Sequence, residues 1–409
     1  MNFTVEIQEA VNDVLASEYP LEALSNFNYH ETLLKDWRFI FFDNDYGADI
    51  PYFLKNQKID NFNIYNLASA NKMFVIDTDT CNDMFTSGTT MYSIDTCIAL
   101  DTQTVSYLKD IFIENPMNIN ERSKYYIEYL LKNNINYDYS LYMLENAHKL
   151  NSQKEIIDTY ENLLACERFK SIDAEKYFRD GIIVYTKTND ELKLLTDDIF
   201  YLMKNESKSP DVETLWERYY AIKALLLKVA IIELTYSKKG LKFRTGLLLV
   251  FVNNELGCFL EREIAISYLF FSHDKRIEMF FKKIKSNCID IIKHISGMAW
   301  DLSHLRHLEY LMASLRPINT RYSLYSIITF DYGLQEVLDV YPIRKCAMSN
   351  DIFIPVFQTP IYELITEIDN LQEFITNTKP LRMATHKNAD YKSLINQLEN
   401  ELNELIKSV

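Results

Sequence analysis

The most informative change in the pattern of apolar and polar positions lies at residues 97–108. Residues 97–100 are small or apolar without interruption, and the run ends at Asp101. Beyond it, Val105 and Leu108 are spaced to share one face of a helix. The pattern predicts a buried strand that ends in a carboxylate and is followed by a helix. Because ligands in open α/β sheets bind outside the carboxyl ends of the strands, Asp101 is a candidate for chemistry.

A second stretch, residues 326–335, has the same organisation. An apolar strand pattern ends at Asp331, and a helical pattern follows. Carboxylates that are brought together repel one another and stay ionised when a cation lies between them. Two acidic strand ends therefore predict a shared metal site.

Two further acids lie within apolar helical patterns, where a charge is costly to bury unless it is paired or bound to a metal. Glu145 has apolar neighbours, although it could also lie at the border of a polar face. Asp301 shares a helical face with Leu305 and has His304 at i+3, although it could instead cap the helix. Both acids are candidate metal ligands. His304 and His307 lack the third histidine or Glu-x-x-His pattern of a zinc site.

Another strand pattern, residues 72–76, is followed by Asp77 and Asp79. This Asp-x-Asp resembles the opening motif of haloacid-dehalogenase-like phosphatases, in which one carboxylate attacks phosphorus and the next handles the leaving-group proton. Cys81 stands where that family usually has Thr or Val. The alternative is a capped edge strand. A phosphatase that uses Asp77 and Asp79 is therefore an alternative function.

The densest basic stretch, residues 275–293, has the pattern of an amphipathic helix. Its lysines at 282, 283 and 285 could contact a phosphate backbone, or they could form a solvated face. Shortly before it, Glu263 is a reserve candidate for the acid site, with ordinary surface placement as the alternative. The sequence thus predicts Lys282, Lys283 and Lys285 as substrate-binding residues.

Composition limits the classes of function. The chain has 409 residues, is 48% hydrophobic and carries a formal charge of −15, so it can bury a sizeable core but has no broadly basic face for nucleic acid. With 8 glycines against 28 tyrosines and 24 phenylalanines, it has little material for a Gly-rich phosphate loop. A nucleic-acid substrate would have to enter at a restricted place.

The cysteines and the N-terminal residues indicate the cellular compartment of the protein. Six cysteines are scattered without a Cys-x-x-Cys pair, so neither a zinc ribbon nor a disulfide framework is predicted. The N-terminal residues carry acids and no basic start before an apolar run, unlike a signal peptide. We expect a cytoplasmic protein that has no membrane partner.

Taken in order, the strand ends and helical acids resemble a PIN-like metal-dependent nuclease. That family has a strand ending in Asp-Thr-Asn, an acid on a following helix, an Asp that opens a late helix and a strand ending in Thr-x-Asp. The matching stretches here are residues 100–103, 144–146, 299–304 and 328–334. Gln103 departs from the pattern, because Asn is typical at that position. The matching stretches lie in about a third of the chain.

The resemblance implies an α/β fold with a Rossmann-like parallel sheet core and extensive helical additions. It also implies Mg²⁺ or Mn²⁺ as the cofactor, since hard oxygen ligands select these ions. The implied ligands, which also orient the attacking water, are Asp101, Glu145, Asp301 and Asp331, with Glu263 in reserve. The implied supporting residues are Thr102, Thr329 and His304.

The resemblance favours RNA over DNA as the substrate, and it suggests a toxin or phage-defence role. The expected domains are an α/β extension (1–96), a nuclease core (97–150 and 274–360), a mainly helical insertion (151–273) and C-terminal helices (361–409). The last helix could pack on the body or on a second subunit, so a homo-oligomer or a regulatory protein partner is possible. A non-catalytic helical scaffold, whose acids are caps and surface residues, is the alternative from another class.

Overall fold

The computed structural model describes residues 4–59, 62–114, 121–133, 135–206, 209–314, 320–350 and 352–408. The chain divides into two compact units, and each is made of three separate segments. Unit 1 comprises Met1–Glu213, His307–Phe330 and Arg344–Pro355. Unit 2 comprises Thr214–Arg306, Asp331–Ile343 and Val356–Val409. The predicted insertion, residues 151–273, is thus shared between the two units.

The strands form two five-stranded sheets. In chain order the strands are β1 (Arg38–Asp43), β2 (Ala48–Asp49), β3 (Gln57–Ile59), β4 (Phe62–Asn66), β5 (Lys72–Ile76), β6 (Ile94–Leu100), β7 (Tyr137–Asp138), β8 (Tyr322–Thr329), β9 (Ile343–Ser349) and β10 (Ile352–Phe357). The first sheet has the order β10-β9-β1-β5-β2, and the second has the order β3-β4-β8-β6-β7.

Helices occur in both units and form most of unit 2. The helices before residue 210 are α1 (Val5–Ala16), α2 (Pro20–Tyr29), α3 (Glu31–Leu34), α4 (Thr78–Ser87), α5 (Thr102–Lys109), α6 (Glu121–Lys132), α7 (Ser140–Asn146), α8 (Gln153–Lys170), α9 (Ala174–Asp180) and α10 (Asn189–Glu206). The later helices are α11 (Pro210–Tyr236), α12 (Leu241–Phe251), α13 (Glu261–Phe271), α14 (Glu278–Phe281), α15 (Ile291–Ser314), α16 (Tyr332–Val340), α17 (Ile361–Leu364), α18 (Leu371–Asn377), α19 (Lys379–Lys387) and α20 (Tyr391–Ser408).

The second sheet positions the predicted acids of unit 1. Strand β6 pairs in parallel with β8, with Leu100 opposite Ile328, and in parallel with β7 on its other side. Strand β4 runs antiparallel to β8, and β3 runs antiparallel to β4. The fold is therefore mixed α/β, as predicted. The parallel arrangement extends over the three strands β7-β6-β8, whereas β1 pairs antiparallel with both β5 and β9 in the first sheet.

The core under the second sheet explains why this region folds as it does. All eight residues of β8 are buried, and Ile98 and Leu100 of β6 are fully buried. Helix α5 contributes Val105 and Leu108 to the same apolar cluster, as their spacing predicts. At about 25 cal/mol per Å² of apolar surface, burying one such side chain contributes roughly 1.5–3 kcal/mol, which fixes the strand register.

Unit 2 is held together by helix packing and by ion pairs at the edges of its helices. Trp216 of α11 lies edge-on to Trp300 of α15, with ring centroids 4.8 Å apart. Helix α20 packs on its own unit: Leu398 and Leu402 are buried, and Lys223 of α11 forms a 2.8 Å ion pair with Glu399. The last helix therefore packs on the body of the protein, which is one of the two arrangements that its sequence allowed.

Candidate functional site

Asp101 lies at the C-terminal end of β6, as predicted, and it is the N-cap of α5. Its Oδ1 accepts a 2.6 Å hydrogen bond from the backbone N–H of Thr104, and the residue is only 7% exposed. The Thr104 hydroxyl in turn donates to the carbonyl oxygen of Ile328 in β8, at 3.4 Å. The first turn of α5 is thereby attached to both parallel strands, and the orientation of the Asp101 carboxylate is fixed.

Glu145 of α7 lies beside the same strand end. The Thr102 hydroxyl donates to Oε2 of Glu145 at 2.5 Å, and Lys149 Nζ forms an ion pair with Oε1 at 2.7 Å. The Glu145 side chain is 14% exposed and that of Lys149 is 44% exposed. The structure therefore brings Asp101 and Glu145 to one end of β6, with one residue, Thr102, linking them.

Lys149 is a neighbour of the acid site that the sequence analysis missed. It follows Glu145 at i+4, a spacing at which a Glu–Lys pair is favourable on a helical surface. This spacing was the available signal.

The other two predicted acids belong to unit 2. Asp331 caps α16: its Oδ1 accepts hydrogen bonds from the backbone N–H groups of Gly333 (2.6 Å) and Leu334 (3.1 Å). The strand-to-helix transition at Asp331 is confirmed. Asp301 is half-buried in the interior of α15, so the N-cap interpretation and the expectation that Asp301 opens a helix are wrong. Helix α15 already starts at Ile291.

Two of the three predicted supporting residues, Thr329 and His304, are buried, whereas Thr102 is partly exposed. Thr329 is fully buried in β8, opposite Asn63 of β4. His304 is 2% exposed and its ring lies 6.0 Å from that of Trp300.

Glu263, the reserve acid, is 0% exposed rather than on the surface. Both of its carboxylate oxygens accept hydrogen bonds from Arg306, at 3.1 Å from Nε and 2.6 Å from Nη2. The partner of this carboxylate is thus a guanidinium group.

The basic stretch is not one amphipathic helix, which corrects the prediction. Residues 275–290 form a short 3₁₀ turn, α14 and further turns, and α15 begins only at Ile291. His273 and Asp290 on either side of the stretch have positive φ angles of 58° and 59°, which interrupt helical geometry. The side chains of Lys282, Lys283 and Lys285 are exposed. We call residues 275–285 the lysine segment.

The lysine segment is attached to α16 within unit 2. A carboxylate oxygen of Glu336 accepts hydrogen bonds from the backbone N–H groups of Met279 (2.8 Å) and Phe280 (3.1 Å). Burial and the nearby Glu278 raise the pKa of Glu336. A Cβ atom at Gly333 would lie 2.9 Å from the Cα of Phe280, so only glycine allows this approach. The segment is therefore fixed against the helix that Asp331 caps.

Asp77 and Asp79 line a separate pocket in unit 1. The pocket has a volume of about 310 Å³, and its lining residues are Lys35, Asp36, Trp37, Arg38, Asp77, Thr78, Asp79, Thr320 and Arg321. Asp77 is the N-cap of α4. Its Oδ1 accepts from the backbone N–H of Thr80 (2.7 Å) and from Arg321 (3.3 Å), and its Oδ2 accepts from the Tyr322 hydroxyl (2.7 Å). Burial, and then the Asp77 charge, raise the pKa of Tyr322.

The described residues were searched for metal-binding groups and membrane-spanning helices, and the chain was compared with known proteins. Within the residues that the structure describes, no group of three or more His, Cys, Asp or Glu side chains could hold a metal ion. Across those same ranges, no helix combines the length and the hydropathy that a membrane span requires. No family model, curated protein or solved structure matches the chain.

Proposed function

We propose that the chain is a PIN-like phosphodiesterase that uses a divalent metal ion and has RNA, rather than DNA, as its substrate. The observation that carries this proposal is the placement of Asp101 and Glu145 at the carboxyl end of β6, linked through Thr102. Strands β7 and β8 run parallel to β6 on its two sides, which is consistent with a Rossmann-like core. The family resemblance also points to Asp301 and Asp331, but these acids belong to unit 2, and the proposal rests on the pair in unit 1 alone.

The donor set of unit 1 fits Mg²⁺ or Mn²⁺ in type. Asp101 and Glu145 offer hard carboxylate oxygens, and Mg²⁺ is commonly held by one or two carboxylates together with waters and substrate phosphates. Lys149 occupies one oxygen of Glu145, but an ion pair this exposed contributes only about 0–1 kcal/mol and is easily displaced. When bound, the ion would supply an activated water and stabilise charge on the scissile phosphate.

The side chains of unit 1 contribute orientation. The N–H of Thr104 fixes one oxygen of Asp101, and the hydroxyl of Thr102 fixes one oxygen of Glu145. Carboxylates held in this way need little reorganisation when they bind a ligand, which favours both affinity and correct positioning.

The lysine segment supports a polyanionic substrate. In a chain with a formal charge of −15, Lys282, Lys283 and Lys285 are three exposed cations in one turn. Each lysine that contacts a phosphate releases counterions and gives binding that weakens with salt. We therefore assign contact with the nucleic-acid backbone to this segment, and we attribute the restricted access of substrate to the acidity of the rest of the chain.

Cleavage of labelled single-stranded RNA and DNA, with Mg²⁺ or Mn²⁺ and with EDTA, tests the proposal. We expect metal-dependent cleavage that falls at least about 100-fold in Asp101→Asn and in Glu145→Gln, since each removes a charge that orients the reactants. Asp198→Asn is the matched control, because Asp198 is exposed on α10. Unchanged cleavage in Asp101→Asn, or no cleavage of either polymer by the wild type, would contradict the proposal.

A phosphatase that uses Asp77 and Asp79 remains the alternative enzyme, and the pocket beside these residues favours it. Against it, both oxygens of Asp77 already accept hydrogen bonds, whereas a nucleophilic carboxylate needs an oxygen free to attack phosphorus. Loss of phosphomonoester hydrolysis in Asp77→Asn, together with full activity in Asp101→Asn, would favour the phosphatase. A folded chain that hydrolyses neither ester class would favour the scaffold.

A further inference from the structure

The pocket of unit 1 lies at the other end of β8 from the candidate acid site. Thr320 and Arg321, which line the pocket, immediately precede β8, whereas Asp101 lies beyond the end of the parallel neighbour β6. Strand β8 has eight residues, which span about 25 Å at roughly 3.3 Å per residue. The pocket is therefore a separate site, and its volume of about 310 Å³ suits a small molecule.

Two guanidinium groups line the pocket, and Arg38 already donates to the backbone carbonyl oxygens of Arg321 and Ala313, so Arg321 is the arginine considered for a ligand. Its side chain is 33% exposed, and its partners are Oδ1 of Asp77, at 3.3 Å from Nη1, and Oδ2 of Asp79, at 3.7 Å from Nε. Only the first of these contacts is a hydrogen bond, and a guanidinium group has five N–H donors. The planar donor array of arginine matches the oxygens of a phosphate or carboxylate.

Further donors line the same pocket. The buried hydroxyl oxygen of Thr320 has no hydrogen-bond partner in the structure, and within the described residues the exposed Lys35 forms no ion pair. Helix α4 begins at Thr78, so the N–H groups of Thr78 and Asp79 have no acceptor within the helix. The partial positive charge of this helix end favours an anion.

The acids of the pocket do not exclude an anionic ligand. The oxygens of Asp77 are occupied by Thr80, Tyr322 and Arg321, so this carboxylate is already compensated. Asp79 is 70% exposed, and its long contact with Arg321 is of the kind that contributes little in water. A ligand oxyanion can therefore replace Asp79 as the partner of Arg321.

We propose that this pocket binds a small phosphomonoester, with Arg321, Lys35 and the first turn of α4 holding the phosphate. The proposal is binding without turnover, and it does not depend on the nuclease activity. Asp79 competes with the ligand for Arg321. Removal of the Asp79 charge should therefore strengthen binding, whereas removal of Arg321 should weaken it.

Isothermal titration with adenosine 5′-monophosphate, inorganic phosphate and adenosine tests this inference. We expect the monophosphate to bind, inorganic phosphate to bind more weakly, and adenosine not to bind. The Arg321→Met and Lys35→Met variants should each lose affinity, by about tenfold or more for the arginine. Asp79→Asn should bind several-fold more tightly. Arg179→Met, an exposed arginine of unit 1, is the control and should bind as the wild type does.

The opposite results would overturn the inference. These are no heat of binding with either phosphate compound, equal binding of adenosine, or wild-type affinity in both Arg321→Met and Lys35→Met. Lys35 is exposed, so its variant is informative even if Arg321→Met does not fold. Hydrolysis of the monophosphate that disappears in Asp79→Asn would replace the binding site with the phosphatase. Loss of RNA cleavage in Asp101→Asn has no bearing on these titrations.

Discussion

The ion pair between Glu263 and Arg306 should dominate the stability of unit 2. Glu263 is 0% exposed and Arg306 is 16% exposed, and two hydrogen bonds of 3.1 and 2.6 Å join them. Removing one partner of a buried pair leaves an uncompensated charge and typically costs about 3–5 kcal/mol. We expect Arg306→Met to lower the free energy of unfolding of unit 2 by that amount. Lys242→Met removes an exposed pair with Asp369 and should leave the free energy of unfolding nearly unchanged.

Urea unfolding followed by tryptophan fluorescence measures this difference. Trp216 and Trp300 lie in unit 2, and a Trp37→Phe background removes the signal of unit 1. In the Glu263→Gln/Arg306→Met double variant, the loss of unfolding free energy should be smaller than the sum of the two single losses. Both charges of this pair are then removed, so neither is left without the other. Additive costs, or a loss below about 1 kcal/mol in Arg306→Met, would refute the reasoning.

Three further predictions follow from close contacts and burial. Gly333→Ala should destabilise unit 2 by about 1–3 kcal/mol in urea unfolding, because its Cβ would lie 2.9 Å from the Cα of Phe280; a cost near zero would contradict the packing. Cys288 should react fastest with Ellman's reagent at pH 8, because four of the other cysteines are buried and burial raises the pKa of the fifth, Cys258, to about 11. A fast phase that persists in Cys288→Ser would contradict this assignment. Burial lowers the pKa of Lys345, so just below pH 10.5 the unfolded chain binds more protons than the folded chain. The free energy of unfolding of the wild type, relative to that of Lys345→Met, should therefore increase as the pH rises through that window. A difference that does not change with pH would contradict this prediction.

The placement of Asp101 and Asp331 could be predicted because the signals are local. Each acid follows an apolar run and precedes a helical pattern, and an aspartate at that position caps the helix through the N–H groups of its first turn. The strand boundary and the helix start are thus encoded within about ten residues. The strand before Asp77 was predicted in the same way, but the edge-strand interpretation is wrong, because β5 lies between β1 and β2, and Asp77 caps α4 instead.

The parts that failed depend on distant residues or on unusual backbone geometry. The family resemblance implied that Asp301 opens a helix, whereas α15 starts ten residues earlier, at Ile291. The pattern of residues 275–293 predicted one amphipathic helix. However, the backbone at His273 and Asp290 is in the left-handed region, which residues other than glycine rarely adopt. The pocket at Arg321 could not be predicted, because its walls come from residues 35–38, 77–79 and 320–321.

The segmented make-up of unit 1 has a consequence for biosynthesis. Arg38 at the start of β1 pairs with Met348 of β9, so the first sheet cannot be completed until the chain has been synthesised beyond β9. The strand that carries Asp101 likewise waits for its parallel partner β8. Contacts this far apart in sequence form late and slowly. A translation product that ends before β8 would therefore contain Asp101 and Glu145 without the parallel strand that supports them.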